Sequence, residues 1–414
     1  MSFSFVLPIL VTAVGVFLLI KLRFFFILHP LRTAGEFLSG LKDRDARRSF
    51  SLALAGTLGV GNIFGVSAGI MIGGEGSLFW LFLSSIFSAV IKYAEVLLVF
   101  DGGGAEGGMA ALLSRTLRHG KLLSPIYAGL TVVLSLFMGA SMQTQALCDI
   151  ASQTLRIGPL ITVVILVLLL LPALLGGVRK IENITEIVIP LTTIVYIIMC
   201  FTVIGLNFLH LPGAFLRIIS SAFSFKSAAG GITALAIKEG FARGILSNEA
   251  GVGTSALAHS RSMGRSPHLA GLFGMCEVLF DTTILCPLTG IAILVSVENF
   301  SAFKTPMALV FAAFSSSIGR VSSLLLPIIF AFAYSTLICW FYYGVECCRI
   351  YFGGHKGCYL VIFILCAFFS GFFPPMPLIY ITDFVLLLMA CMTLSAILKK
   401  SDRIRVLSNN KELP

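Results

Sequence analysis

Long apolar segments, separated by short polar connections, follow one another along the whole chain. Eleven of them lie near residues 3–20, 52–73, 77–100, 122–147, 158–176, 184–208, 228–260, 269–296, 322–346, 357–374 and 376–398. A helix needs about 20 predominantly apolar residues to cross a bilayer, and most of these segments are that long. The pattern predicts an all-α integral membrane protein with about eleven transmembrane helices. The seventh segment is the least apolar, because it contains Lys238, Glu239, Arg243 and Glu249.

Composition supports a membrane protein and excludes most other classes. Of the 414 residues, 57% are hydrophobic and 12% are charged, against roughly 25% charged residues in a soluble domain. The net charge of +10 does not indicate nucleic-acid binding, because the basic residues lie in short connections. The cysteines show no metal-binding spacing, and no HExxH or GxSxG motif indicates an enzyme. We expect the lipid bilayer as a partner and no organic cofactor.

Basic residues are concentrated in alternate connections, beginning with 21–48 and ending with the tail at 399–411. The opposite connections contain only Arg156, Arg217, Lys226, Lys304 and Arg320. Cytoplasmic connections of membrane proteins carry an excess of lysine and arginine. We therefore predict a cell-membrane location, expected to be a bacterial plasma membrane, with the N-terminus outside and the C-terminus in the cytoplasm.

Two segments are rich in glycine and are predicted to be interrupted helices. The second contains AGTLGVGNIFG at 55–65, and the seventh contains GILSNEAGVGTSALAHS at 244–260. Glycine weakens a helix by about 1 kcal/mol relative to alanine, although small residues also allow close packing in lipid. When the first helix is set aside, each segment begins a half of five helices, as in inverted-repeat transporters. The predicted regions are 1–50, a first repeat at 51–210, a second repeat at 226–398, and a basic tail at 399–414.

An interrupted helix exposes backbone groups that lipid cannot satisfy, so they must line a cavity or bind something. The N-terminal end of a half-helix attracts a carboxylate, and free carbonyl and hydroxyl oxygens coordinate a cation such as Na⁺. A small amino acid and a cation can therefore share one interruption. The substrate-binding candidates at the two interruptions are Val60, Gly61, Asn62, Ser247, Asn248, Gly251, Gly253 and Thr254.

Two groups of polar residues lie on other apolar helices. Ser335 and Thr336 are in the ninth segment, where a cation site beside an interruption would need hydroxyls. The alternative is that these hydroxyls bond to their own helix. Gln143, Thr144 and Gln145 lie near the outer end of the fourth segment. They form a polar wall of the substrate pocket, or they make hydrogen bonds between helices or lie at a helix end that reaches water.

Two pairs of charged residues on the third and eighth apolar segments also lie at membrane depth, where each charge needs a partner or a cavity. Lys92 and Glu95 are three residues apart on one helix face and are expected to neutralise each other. Glu277 and Asp281 are four residues apart in the eighth segment. They can carry protons or orient a partner helix, but the simpler expectation is that they pair with Lys238 or Arg243 of the seventh segment.

Five stretches carry a wider resemblance. They read GTLGVGNIFGV at 56–66, GGVRKIENITEIVIP at 176–190, RGILSNEAGVGTSALAHS at 243–260, EVLFDTTILCPLT at 277–289 and FAFAYSTLICWFYYGVE at 330–346. In sequence and in order they resemble the alanine or glycine:cation symporter family, also called sodium:alanine symporters, over nearly the whole chain. The resemblance implies a LeuT-like fold of two inverted five-helix repeats with one extra N-terminal helix. It also implies uptake of alanine, glycine or a similar small neutral amino acid, coupled to Na⁺ or sometimes H⁺.

The same resemblance assigns roles to individual residues. It implies that Na⁺ is bound by backbone carbonyls near Ala55 and Leu58 and by the hydroxyls of Ser335 and Thr336. It also implies that Gln143 lines the substrate pocket.

Some positions depart from the family pattern. The family usually has threonine where Val60 stands, a longer segment than EGGMAALLS at 106–114, and GNMVQAN in place of GASMQTQ at 139–145. These departures bear on the substrate and on the coupling ion. An H⁺-coupled carrier of another small amino acid and a transport-inactive transceptor are therefore alternatives. An ion channel is disfavoured, because a channel would favour pore-lining rings in a symmetric oligomer rather than internal repeats.

Overall fold

The computed structural model describes residues 6–101, 106–224, 231–260, 266–354, 356–372 and 376–409. Within these ranges the regular structure is helical throughout and includes no strand. The predictions on Lys226 and on the last residues of the tail fall outside the described part of the chain.

The helices follow one another with short connections. The N-terminal half contains α1 (Val6–Lys21), α2 (Phe25–Leu28), α3 (Pro30–Gly40), α4 (Arg44–Thr57), α5 (Gly61–Gly73), α6 (Ser77–Asp101), α7 (Gly108–Thr116), α8 (Gly120–Leu134), α9 (Gln143–Thr154), α10 (Pro159–Leu175), α11 (Val178–Leu206) and α12 (Leu211–Ala222). The C-terminal half contains α13 (Gly231–Asn248), α14 (Ala256–His259), α15 (Pro267–Val278), α16 (Cys286–Ser296), α17 (Pro306–Ile318), α18 (Leu325–Phe352), α19 (Lys356–Ser370), α20 (Met376–Lys399) and α21 (Ser401–Asn409). Two π-helical stretches, Ser135–Met142 and Leu279–Leu285, join α8 to α9 and α15 to α16.

Each predicted apolar segment coincides with one of these helices or with a consecutive pair. In the described residues, 7 helical segments are long and apolar enough to cross a membrane: Arg44–Gly73, Ser77–Asp101, Gly120–Thr154, Val178–Leu206, Pro267–Ser296, Pro306–Phe352 and Ile381–Lys399. Shorter apolar helices are Val6–Lys21, Pro159–Leu175, Phe208–Ala222 and Lys356–Ser370. The seventh predicted segment, α13 with α14, is in neither group, in line with its charged residues. The chain is a multi-pass membrane protein.

Ion pairs place alternate connections together on one face of the helix array, here called the basic face. Three of these pairs join Arg48 to Glu186 at 2.9 Å, Lys21 to Asp402 at 2.7 Å, and Arg403 to Asp101 at 2.7 Å. The hydrogen bond from Lys21 lowers the pKa of Asp402. On the opposite face, Arg217 lies 2.9 Å from Glu75. The first three pairs thus bring together four of the connections that the basic residues assigned to one side, namely 21–48, 101–121, 176–184 and the tail.

Close packing around α6 explains part of the glycine content of the seventh segment. Helix α6 packs against α13 and α15. A Cβ atom at Gly244 would lie 2.0 Å from Ser84 Oγ, and one at Gly240 would lie 2.4 Å from Ser77 O. These two glycines therefore allow helix α13 to approach α6, and they lie within the helix rather than in its interruption.

Candidate functional site

The first interruption lies at residues 58–60, between α4 and α5. Gly59 N donates to Thr57 O at 2.8 Å, rather than to Ala55 O as in a continuous helix. Val60 N donates to Gln143 Oε1 at 3.3 Å. The predicted break is confirmed, and it leaves the Ala55 carbonyl without the donor that a continuing helix would supply.

The hydroxyl of Thr336 in α18 lies at the carbonyl end of this break, and Ser335 precedes Thr336 in the same helix. Thr336 Oγ1 is 3.3 Å from Leu58 O and 2.9 Å from Phe332 O of its own helix. One hydroxyl proton cannot satisfy both carbonyls fully. Ser335 is fully buried, and its Oγ has no hydrogen-bond partner within the described residues. A buried polar group without a partner costs about 1–3 kcal/mol, so these oxygens are available to a further ligand.

The other end of the same break is the N-terminus of α5. Gly61 is exposed, whereas Val60 and Asn62 on either side are each 3% exposed. A Cβ atom at Gly61 would meet nothing within 4 Å. No described residue accepts a hydrogen bond from the Gly61 N–H. A free N–H at a helix N-terminus beside open space is suited to an anion such as a carboxylate.

The second interruption, residues 249–255, is longer and separates α13 from the short helix α14. Its backbone has φ of 53° at Glu249, 87° at Gly251 and 89° at Gly253, in the left-handed region that glycine adopts readily. A Cβ atom at Gly253 would also lie 2.8 Å from Tyr127 Oη. The second predicted break is therefore confirmed as well.

A buried polar cluster connects the start of α5, the end of α13 and the second π-helical stretch. Ser247 Oγ donates to Asp281 Oδ2 at 2.7 Å and lies 3.2 Å from Asn62 Oδ1. Asn62 Nδ2 donates to the other carboxylate oxygen of Asp281. Asn248 Nδ2 donates to Thr282 Oγ1 at 3.1 Å. All five side chains are buried, and this Asp281 cluster links the first break directly to the helix that leads into the second.

Asp281 and Thr282 are members of the candidate site that the sequence reasoning did not include. They lie in the π-helical stretch Leu279–Leu285, and such wide turns are frequent at functional sites because they redirect side chains. The other π-helical stretch, Ser135–Met142, ends immediately before Gln143. The polar triplet of Asp281, Thr282 and Thr283 inside an apolar segment is the sequence feature that could have identified them.

The expectation that Glu277 and Asp281 pair with Lys238 or Arg243 is wrong. Arg243 Nη2 lies 3.0 Å from Glu239, and Lys238 Nζ lies 3.7 Å from the same carboxylate. These basic groups are therefore compensated mainly within α13. Glu277 faces the lysine of α6 instead, and Asp281 belongs to the polar cluster described above.

The remaining buried charges gather around Lys92 at the second break. Lys92 Nζ lies 3.9 Å from the Glu95 carboxylate, which confirms the predicted pair. It also lies 3.7 Å from the Glu277 carboxylate, so two carboxylates share one ammonium group. It also donates to Glu249 O at 3.4 Å and to Ser255 Oγ at 3.0 Å, at the two ends of the break. The Lys92 cluster comprises Lys92, Glu95, Glu249, Ser255, His259 and Glu277.

The predicted site residues thus fall into two groups. Those at the first break, or joined to it through the Asp281 cluster, are Ala55, Leu58, Val60, Gly61, Asn62, Gln143, Ser247, Asn248 and Thr336. Ser335 is next to Thr336 in α18 and is fully buried. Gly251, Gly253 and Thr254 lie instead in the second break. The Thr254 hydroxyl donates to Glu249 Oε2 at 2.7 Å, so it faces the Lys92 cluster.

Comparison with known proteins agrees with this architecture. The sequence pattern of the Sodium:alanine symporter family matches residues 1–409. The chain is 31% identical over 387 residues to the sodium/alanine symporter AgcS of Methanococcus maripaludis, covering 88% of this chain and 84% of that one. It is 32% identical over 368 residues to an uncharacterized transporter of Haemophilus influenzae, covering 85% and 80%. It is 29% identical over 360 residues to the probable sodium/glutamine symporter GlnT of Bacillus subtilis, covering 82% and 73%. The chain belongs to the sodium:alanine symporter family and is a membrane transporter.

Proposed function

We propose that the protein carries a small neutral amino acid, alanine or glycine, into the cell together with Na⁺. Family membership and the similar sodium/alanine symporter support both the coupling ion and the substrate class. The relative named as a probable sodium/glutamine symporter makes glutamine a third substrate to test. The observation that carries the proposal is the first break, where the Ala55 carbonyl without its helical donor and a free helix N-terminus lie at opposite ends of residues 58–60.

The cation binds at the carbonyl end of the first break in this proposal. Ala55 and Leu58 supply carbonyl oxygens, and Ser335 and Thr336 supply hydroxyl oxygens. Such uncharged oxygens are the ligands of hard cations. The fit is supported by Ser335, because its buried Oγ has no partner in the described structure and would gain one from the ion.

The substrate binds at the N-terminal end of α5. Its carboxylate faces the N–H groups of residues 60–62, and Gln143, which already contacts Val60 N, lines the pocket. The positive ion and the carboxylate lie at the two ends of one short break. Each ligand therefore raises the affinity for the other, and the effect is reciprocal.

Transport follows alternating access between two repeats in a fold of eleven membrane helices. We assign the repeats to 51–210 and 226–398, with the N-terminus outside and the basic face in the cytoplasm. The Asp281 cluster joins the first helix pair of each repeat by hydrogen bonds. Binding at one break can therefore change the position of the other repeat. On the basic face, Arg48 bonds to Glu186 and Asn183 at the start of α11, and we assign this contact to the cytoplasmic closure.

Uptake into proteoliposomes tests the proposal. Radiolabelled alanine, glycine and glutamine are offered with an inward Na⁺ gradient, with equal Na⁺ on both sides, or with an inward H⁺ gradient. We expect accumulation of alanine or glycine only with the Na⁺ gradient, and its loss in the Ser335→Ala/Thr336→Ala variant. A matched control is Thr202→Ala/Ser395→Ala, because these exposed hydroxyls bond to their own helices.

The alternatives predict other results. Accumulation driven by H⁺ alone would indicate an H⁺-coupled carrier. No uptake under either gradient, from protein that still binds alanine, would indicate a transceptor. An ion current that flows without substrate and does not saturate as the ion concentration rises would indicate a channel.

A further inference from the structure

The proposed Na⁺ site makes no use of the Lys92 cluster, although this cluster concentrates charge inside the membrane. Its titratable groups are Lys92 and Glu95 of α6, Glu249 of the second break, His259 of α14 and Glu277 of α15, with Asp281 one turn further on, and all are buried. Tyr127 of α8 and Tyr343 of α18 also face it. The cluster therefore joins elements from both proposed repeats.

Acidic groups outnumber basic groups at this place. Four carboxyl groups, those of Glu95, Glu249, Glu277 and Asp281, lie near one lysine and one histidine. If every carboxyl group were ionised, negative charge would remain uncompensated even with a protonated histidine. A charge inside the bilayer is costly and needs a partner. The cluster therefore requires a further cation or a proton.

The position of Lys92 favours a proton over a metal ion. Its ammonium group lies within 3.0 to 3.9 Å of oxygens from Ser255, Glu249, Glu277 and Glu95. The centre of the cluster is thus already occupied by a positive charge, which would repel a second cation. A proton, by contrast, neutralises a carboxylate without placing a new charge beside the ammonium.

Glu249 is the carboxyl group best placed to hold this proton. It is 1% exposed, and none of the described basic side chains forms an ion pair with its carboxylate. Lys92 contacts its main-chain carbonyl instead. Thr254 donates to Oε2, while Oε1 has no hydrogen-bond partner among the described residues. Glu95 and Glu277, in contrast, both lie beside the ammonium.

We propose that Glu249 is a proton-binding site that is occupied near neutral pH. The proton bonds to a carboxylate oxygen and forms the neutral acid, and it leaves from that oxygen to water when the second break opens. Lys92 contacts both ends of the break. An ionised Glu249 carboxylate would be attracted to this ammonium group and would change the contacts that Lys92 makes with the break. The site goes beyond Na⁺ symport, because it makes the second broken helix respond to pH.

Infrared spectroscopy of the purified chain in lipid nanodiscs detects the proton directly and does not depend on transport. Wild type minus Glu249→Gln should show the carbonyl stretch of one protonated carboxylic acid at neutral pH, and the band should shift in D₂O. The control Glu106→Gln removes an exposed carboxylate and should leave the acid band unchanged.

A second variant keeps the test decisive if Glu249→Gln does not fold. Thr254→Val retains the acid but removes the hydroxyl that donates to it, so the acid band should move to higher frequency without losing intensity. A wild-type spectrum with no acid band that depends on Glu249 or Thr254 would overturn the proposal, whatever the uptake assays show. Failed Na⁺-driven uptake with the band present would overturn the proposed function alone.

Discussion

The two broken helices satisfy their exposed backbone in different ways. The first break, at 58–60, bonds to the neutral side chains of Gln143 and Thr336 in the described structure. The second break, at 249–255, is longer, and the ammonium of Lys92 bonds to its backbone. The lysine at the second break repels a metal cation from solution, whereas a break lined by neutral oxygens is free to take one. We therefore expect Na⁺ at the first break and only a proton at the second.

The Asp281 cluster is the connection between these two regions. Its hydrogen bonds run from Asn62, at the start of α5, to Ser247, at the end of α13. The polar groups are buried and have good partners, and such networks fix one arrangement of the elements that they join. A movement of either broken helix must therefore involve the other.

Removal of the lysine should have the largest effect. Lys92→Met leaves Glu95 and Glu277 without their shared partner, and loss of one partner of a buried ion pair costs about 3–5 kcal/mol. We expect a clear fall in melting temperature in detergent. Lys121→Met, at an exposed position, is the control. Equal melting temperatures for both variants would show that the second break does not depend on Lys92.

Removal of the Asp281 carboxylate, which lies between the breaks, should have the second-largest effect. Asp281→Ala leaves the donors of Asn62 and Ser247 without an acceptor, at about 1–3 kcal/mol for each group. We expect the initial rate of alanine uptake to fall roughly 100-fold, since 1.4 kcal/mol is a factor of ten. Asp402→Ala removes a carboxylate from an exposed ion pair and should change the rate little. Near-normal uptake by Asp281→Ala would separate the two breaks functionally.

Two glycines of the first break should separate its cation end from its substrate end. A Cβ atom at Gly59 would lie 3.0 Å from Thr336 Oγ1 and 3.2 Å from Gln143 Oε1. Overpacking costs about 1–3 kcal/mol, so Gly59→Ala should raise the Na⁺ concentration for half-maximal uptake about tenfold. Gly61→Ala adds a methyl group in open space and should raise the KM for alanine instead. Gly35→Ala, also in open space, is the control, and identical effects of the first two variants would contradict the assignment.

The smallest effect is expected on the basic face. Arg48 Nε lies 2.9 Å from Glu186, in a partly exposed pair, and such pairs contribute about 0.2–1 kcal/mol. Arg48→Ala should therefore shift the equilibrium toward a state open at this face and raise alanine efflux roughly two- to threefold. Arg44→Ala is the comparison variant. Arg44 lies farther from Glu186, at 3.8 Å, so its loss should change efflux less. Slower efflux in Arg48→Ala would place the contact outside the closure.

Much of the helical layout could be predicted from the sequence because the bilayer imposes it. Apolar runs of about 20 residues have few alternatives to membrane helices, and all eleven predicted segments coincide with helices. Glycine among polar residues located both breaks. The short helices α2, α3, α7, α12, α17 and α21 were missed, because apolar length does not mark helices that lie in connections.

The assembly of buried polar groups was less accessible to sequence reasoning. Asn62 and Ser247 meet across 185 residues of chain, and no local pattern encodes that distance. The π-helical stretch that directs Asp281 toward them has no simple sequence signature. For the same reason the basic partner of Glu277 was predicted on the wrong helix. The choice between Lys92 and the basic residues of α13 depends on how the helices pack.

The most direct measurement of the central claim is the Na⁺ dependence of alanine binding to purified wild type and to Ser335→Ala. We expect Na⁺ to raise alanine affinity in the wild type, and Ser335→Ala to need roughly tenfold more Na⁺ for the same effect. Lowering the pH should not replace Na⁺ in either protein. Alanine binding that is independent of Na⁺, or equal Na⁺ dependence in both proteins, would contradict a cation site at the first break.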